Sequence, residues 1–332
     1  MLDGPSFVWA MRPSRRPRAA KPIIYVRNRR ERVDPGPQSI GAACRWHFTT
    51  DLHVARIFPS FGGLLMRRTL RDWPITLPAT APAATTTPDV TFVIGHRGLE
   101  RLPHLHRVLQ SIAAQVGVAV ECVLVEQSPE PLIANRLPAW VRYVHTPMAE
   151  TLGYSRAAAF NAGMRHARAR LLIFHDNDML LPREYAMQAL LRQRDGFEVI
   201  NLKRFVFYLT DRQSTRIQHT GEIDADDVPE TVVQNLEAGG SFAITRDAYR
   251  AIGGFDEGFI GWGGEDNEFW ERAITRRAWV WGYLPILHLW HPPQPEKVRG
   301  AASPAVARYW RLTRIPPAER IRQLVGQSGE VF

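Results

Sequence analysis

The chain has 332 residues, 45% of them hydrophobic, and a formal net charge of +9. That is enough apolar material for one large core or two smaller ones, and it excludes disorder throughout. Two cysteines, Cys44 and Cys122, are too few for a disulfide scaffold or a thiolate zinc site. No uncharged apolar run reaches the roughly 18 residues of a membrane span, so a cytosolic setting is expected.

The charge is concentrated at the start. Residues 1–88 hold 14 Lys/Arg against 5 Asp/Glu, whereas residues 89–332 hold 28 of each. Arg12, Arg15, Arg16, Arg18 and Lys21, then Arg27, Arg29, Arg30 and Arg32, form two clusters. Such clusters suit a solvated arm, an anionic lipid surface at about 1 kcal/mol per residue, or nucleic acid. Aromatic interleaving is missing, which argues against base recognition. No nucleic-acid partner is expected, and peripheral contact with anionic lipid at the inner face of a membrane stays open. Residues 22–26 read as a short strand and residues 39–72 as a small helical piece. Residues 77–88, rich in Pro, Ala and Thr, read as a linker. The expected division is a basic extension (1–76), the linker (77–88), a catalytic domain (89–295) and a helical tail (296–332).

From residue 89 the texture is that of alternating strands and helices. Residues 90–95 form an apolar strand, and residues 101–115 a helix with Leu102, Leu105, Val108, Leu109 and Ile112 on one side. Residues 120–125 form a second strand. This βαβ beginning predicts an α/β fold with a mostly parallel central sheet flanked by helices. Ligands of such sheets bind beyond the carboxyl ends of the strands, which nominates His96, Arg97, Glu126, Gln127 and Ser128. The phosphate-loop and dinucleotide glycine patterns are both missing, which disfavours an NTPase or a nicotinamide enzyme. A helix over residues 154–164 and a strand over residues 170–174 follow. The strand runs directly into His175-Asp176-Asn177-Asp178. Two carboxylates two residues apart in that position can coordinate a divalent cation and hydrogen-bond a ribose, although such triplets also occur in ordinary turns.

Further on, Gly261-Trp262-Gly263-Gly264 predicts a loop and Glu265 the start of a helix. Asp266 shares a face with Phe269 and Trp270 and so points inward, while Glu268, Glu271 and Arg272 are expected to cover the outer side. A carboxylate so placed can accept a proton from a substrate hydroxyl. Acids in a first helical turn also simply stabilise the macrodipole by about 0.3–1 kcal/mol, and on this segment alone the two readings weigh equally. His288 and His291 lie three apart in an apolar stretch and could reach one ion. A carboxylate with imidazoles suits Mn²⁺ better than Mg²⁺.

Taken together and in this order, these segments resemble the nucleotide-sugar-dependent glycosyltransferases of the GT-A fold, in particular the β-1,4-galactosyltransferases and the bacterial family-2 enzymes such as chondroitin polymerase. The matching features are His96-Arg97, the stretch from Arg156 through Asn161 to Gly163, Asp176-Asn177-Asp178, and Gly239-Gly240. Gly253-Gly254-Phe255-Asp256 and Gly261-Trp262-Gly263-Gly264-Glu265-Asp266 complete the set, all within residues 89–295. The resemblance implies a UDP-sugar donor and a glycan or lipid-linked glycan acceptor. It makes Asp266 the general base, Glu265 a sugar ligand, and Trp262 with Gly263 the lining of the pocket. It also puts Asp178 on the metal, Asp176 on the ribose, Arg97 and Glu126 at the nucleotide, and His96, Arg156, Asn161 and Gly240 around the donor. His291 with His288 would complete the metal shell. The galactosyltransferases have a methionine and a histidine there, so the roles of the two histidines are interchangeable. Asp at position 266 favours inversion, because the similar retaining enzymes that glycosylate polypeptides carry Asn. A retaining enzyme of that type, or a silent sugar-nucleotide-binding module, is the alternative.

Overall fold

The computed structural model describes residues 49–293 and 303–327. Before them it describes two short antiparallel strand pairs, Val8–Trp9 with Val26–Arg27 and Val33–Pro35 with Ala42–Cys44. Most of the basic clusters and of the strand expected at residues 22–26 lie outside the described residues. Among the described residues no helix is long and apolar enough to cross a membrane.

In chain order the body contains β1 (Thr50–Asp51), α1 (His53–Ile57), α2 (Pro59–Asp72), β2 (Val90–His96) and α3 (Leu102–Ala113). Then come β3 (Val120–Glu126), β4 (Val141–His145), α4 (Arg156–His166), β5 (Leu171–His175), β6 (Met179–Leu180) and α5 (Tyr185–Arg194). β7 (Val199–Ile200), β8 (Lys203–Tyr208), α6 (Asp211–Thr220), β9 (Thr231–Gln234), β10 (Ser241–Thr245) and α7 (Arg246–Ala251) follow. The last elements are α8 (Glu265–Ala273), β11 (Ala278–Trp279), β12 (Leu284–His288), α9 (Pro304–Leu312) and α10 (Pro317–Gln327).

Seven strands form the central sheet in the order β11-β7-β10-β5-β2-β3-β4. The pairings among β5, β2, β3 and β4 are parallel, as the βαβ pattern predicts, and β10 enters antiparallel to both β5 and β7. Alternation along each strand sends side chains to two cores. Val90, Phe92 and Ile94 join one with α2, α3 and α5, while Val93 joins the other with α4, α7 and α8. The same split divides Cys122 and Leu124 from Val123 and Val125. Burying both faces explains why these strands read as continuous apolar runs.

A second, five-stranded sheet in the order β6-β12-β8-β9-β1 was not legible in the sequence. Its first strand belongs to the segment assigned to the extension. Leu52, Ala55, Leu65, Met66, Leu70 and Trp73, on and beside α1 and α2, are all buried in the first core, so from residue 49 onward the segment before the linker is built into the same body. Within residues 303–327, α9 and α10 both pack on α8.

Candidate active site

The geometry of the site follows from two strand junctions. β5 ends at His175, and the Asp176 N–H donates to the carbonyl of Gly240, which leads into β10. Three residues later the chain enters β6, whose Met179 pairs with His288 of β12. Leu289 N–H donates to the Asp178 carbonyl at 2.8 Å. This two-residue pairing joins the acidic turn to the histidine segment. Asp178 Oδ1 lies 3.8 Å from His288 Nε2, and Asp178 Oδ2 lies 3.3 Å from His291 Nε2. One ligand atom from each of the three residues falls within 4.8 Å of the others.

These residues fit a divalent cation on their chemistry. Asp178 Oδ1 and His288 Nδ1 are buried without a hydrogen-bond partner, a costly arrangement that coordination would relieve at the carboxylate. Burial opposes ionisation of Asp178, but His288, His291 and Arg101 outweigh it and hold its pKa well below the usual carboxylate range. Burial also lowers the pKa of His288, which favours the neutral, metal-binding imidazole. The ring of His288 stacks on Tyr208 with centroids 4.4 Å apart, which fixes its plane.

Arg101, just ahead of α3, was not singled out in the sequence. Its guanidinium donates to Asp178 Oδ2 at 2.7 Å and to His291 Nδ1 at 3.1 Å. An isolated arginine in a loop carries no spacing signal, and only the fold brings it to the acidic turn.

On the opposite side, Gly264 caps α8 in a left-handed conformation with φ +90°, so the chain turns sharply into Glu265 and Asp266. Phe269 and Trp270 anchor the helix in the second core, with the Phe269 ring stacked on Phe255 at 3.9 Å, and Asp266 consequently faces inward as expected. Its Oδ1 accepts a hydrogen bond from Arg156, and its Oδ2 lies over Gly239, where a Cβ would come within 2.7 Å. Arg156 also reaches Asp176 Oδ1 at 2.6 Å and lies 3.9 Å from Glu265 Oε1. Burial opposes the charge of this guanidinium, but Asp176 and Glu265 outweigh it and raise its pKa. Glu265 is itself buried, which raises its pKa, and one carboxylate oxygen accepts from the Gly263 N–H at 3.2 Å. Ser155 caps α4 and thereby places Arg156 in its first turn, with the guanidinium over the Phe160 ring.

The expected site residues therefore fall into two groups. Arg156 links Asp176, Glu265 and Asp266, Gly240 bonds Asp176, and Asp178 lies beside His288 and His291, while Trp262 accepts from Ser303 and Gly263 lies against Val306 of α9. The others spend their polar atoms on the protein. Asn161 is buried and bonds Phe255, Glu257 and Tyr249, so it braces the loop ahead of α8. The Glu126 carboxylate accepts from Leu132 N–H, Ile133 N–H and Tyr143 OH. His96 is buried, contacts Asn177 and the Gly98 carbonyl, and is pushed down by burial to about 4. Arg97 donates to the carbonyls of Ala149 and Leu152.

The outer side of α8 differs from its expectation. Glu268 and Arg272 are 1% and 0% exposed, because α10 lays Arg320 across them. Glu271, expected there too, accepts from Tyr309 OH of α9 at 2.6 Å and from Arg320 at 2.5 Å.

Residues 233–283 match a family described as the N-terminal domain of galactosyltransferase, a stretch that includes Gly239-Gly240 and the loop from Gly261 to Asp266. Among solved structures, the chain is similar to a mannosyltransferase from Pyrobaculum calidifontis in complex with GDP-Man and Mn²⁺. Identity is 16% over 82% of this chain and 84% of that one, with a TM-score of 0.43. It is also similar to the catalytic domain of Drosophila β1,4-galactosyltransferase 7 in complex with xylobiose, at 17% identity over 57% of this chain and 63% of that one, with a TM-score of 0.33. No curated protein matches significantly by sequence. The galactosyltransferase-like resemblance read from the residues is borne out over this stretch, which supports a glycosyltransferase.

Proposed function

We propose that the chain is a metal-dependent transferase that moves a hexose or hexosamine from a UDP-sugar to a glycan hydroxyl with inversion. The observation that carries this reading is the Arg156 bridge. One guanidinium touches both Asp176 of the acidic turn and Asp266 at the start of α8, which supports a common site for the donor-side acids and the candidate base. Asp178, His288 and His291 would hold a divalent cation, Mn²⁺ in preference to Mg²⁺, which supplies positive charge to the departing diphosphate.

Asp266 accepts the proton of the acceptor hydroxyl as that oxygen attacks the anomeric carbon from the face opposite the diphosphate. The bond from the anomeric carbon to the diphosphate oxygen breaks, and its electron pair leaves with the nucleoside diphosphate. Arg156 orients Asp266, and Arg101 adds positive charge beside Asp178, where the leaving group's charge accumulates. Glu265 is placed to hydrogen-bond the sugar, and Asp176 the donor's ribose.

The test is UDP release from a panel of UDP-sugars with and without Mn²⁺. Release is expected to require the ion and to disappear in Asp178→Ala. Persistent release by that variant, or by the wild type in a chelator, would sink the reading.

A further inference from the structure

The loop that carries the chain from α7 into α8 is gripped by α9, a helix that lies beyond residues 233–283, the stretch matching the galactosyltransferase family. Arg308 of α9 forks onto Asp256 near the start of that loop. Its Nη2 donates to Oδ2 at 2.7 Å and to Oδ1 at 3.0 Å, and its Nε donates to Oδ2 at 3.2 Å. The same carboxylate accepts the Gly258 N–H at 2.9 Å, and the guanidinium lies 5.4 Å from the centroid of the Phe259 ring. Further along, Val306 and Tyr309 approach so closely that a Cβ on Gly263 or Gly264 would meet them at 2.7 and 2.5 Å. The loop also reaches the start of α4. Ser155 Oγ donates to the Phe259 carbonyl at 3.0 Å, and the Gly261 N–H donates to the Tyr154 carbonyl at 2.9 Å. Tyr154 and Ser155 immediately precede Arg156, the residue that holds Asp266. The loop therefore stands between Arg308 and both members of the Arg156–Asp266 pair.

We propose, resting on the transferase reading above, that Arg308 is a positioning residue for transfer. It acts through Asp256, fixing the loop and with it the direction in which Arg156 and Asp266 meet. Gly261, Gly263 and Gly264 all have positive φ, at +83°, +111° and +90°, so the restraint on this part of the loop comes from its neighbours rather than from its own backbone. A fork onto a carboxylate that is only 10% exposed fixes angle as well as distance, which a single-point contact does not. A reacting group displaced by about 1 Å can lose about 10²-fold in rate. The candidate cation ligands Asp178, His288 and His291 share no residue with the loop, so losing Arg308 affects turnover and spares the metal requirement.

The experiment measures kcat and donor KM for UDP release by the full chain with Mn²⁺ and its best UDP-sugar. Arg308→Ala is expected to lower kcat about 10–100-fold while donor KM and the Mn²⁺ requirement stay within about threefold of wild type. Arg308→Lys, which keeps the charge and loses the fork, is expected to fall between the two. Arg311→Ala, an exposed position on the same helix, is expected to keep kcat within about twofold. Thermal melts show whether each variant is folded at the assay temperature; if Arg308→Ala is not, Arg308→Lys decides in its place, with an expected kcat loss of about threefold or more. The proposal is overturned if the folded Arg308 variant keeps the wild-type kcat, if its loss appears in donor KM instead, or if Arg311→Ala loses as much. Absence of any metal-dependent UDP release by the wild type instead overturns the transferase reading, and this proposal with it.

Discussion

Glu268 offers the sharpest test of how α8 is held. Its carboxylate accepts from Arg272 at 2.7 and 2.6 Å and from Arg320 at 3.1 Å, and Arg272 also donates to the carbonyls of Ile252 and Gly254. All three charged side chains are almost wholly excluded from water. Glu268→Ala removes the only carboxylate paired with Arg272 among the described residues, while Arg320 keeps Glu271. Stranding a buried guanidinium in this way costs about 3–5 kcal/mol, whereas a solvent-exposed pair at the same helical spacing is worth about 0.3–0.5 kcal/mol. At about 2 °C per kcal/mol for a chain of this size, the melting temperature should fall by about 6–10 °C. The double variant Glu268→Leu with Arg272→Met should recover most of that loss, because no buried charge is left uncompensated. Thermal unfolding followed by circular dichroism reads both outcomes. A Glu268→Ala protein melting within 1 °C of wild type would refute the buried network and restore the picture of an outward-facing, solvated pair.

Three further outcomes are expected. Asp266→Asn should lower transfer by about 10²–10⁴-fold, the usual contribution of a positioned base, while a Mn²⁺-dependent thermal shift by the UDP-sugar persists; transfer within tenfold of wild type would remove Asp266 from that role. Gly239→Ala puts a Cβ within 2.7 Å of Asp266 Oδ2 at a backbone φ of +78°, so it should cost about 1–2 kcal/mol in chemical unfolding and lower kcat; an unchanged kcat would mean that Asp266 tolerates displacement. Burial pushes His96 and His175 down to about 4, below the unfolded value of 6.5. Both are neutral in the fold, so the unfolded chain binds more protons below pH 6.5. Their stabilising contribution is complete above about pH 6.5 and is lost as pH falls towards 4, by up to about 3 kcal/mol each. His96→Gln should flatten that part of the melting-temperature profile, and an unchanged slope between pH 6.5 and 4 would contradict its burial.

The parallel half of the central sheet was legible because strands buried on both faces leave apolar runs whose ends can be read to within a residue or two. Asp176, Asp178 and Asp266 were legible because each stands at a junction that the local pattern marks: a strand end, or a glycine turn entering a helix. What local patterns cannot carry is who covers what. Glu268 and Arg272 look solvated on a helical wheel, and only α10, some fifty residues later, makes their face an interior one. Asn161 and Glu126 are polar residues beside a predicted cleft, and nothing local reveals that backbone groups and the side chains of Glu257, Tyr249 and Tyr143 already occupy them. β6 is two residues long, below any periodicity that could be read, yet its pairing with His288 decides where the histidine lies.

That short pairing has a kinetic corollary. Asp178 leaves the central sheet and His288 belongs to the second one, so the candidate cation site is complete only when both sheets have formed and closed on each other. On the metal-dependent reading proposed above, cation capture during refolding would thus report the last long-range closure of the chain rather than its first collapse, and would behave as a catch that slows re-opening more than it speeds assembly.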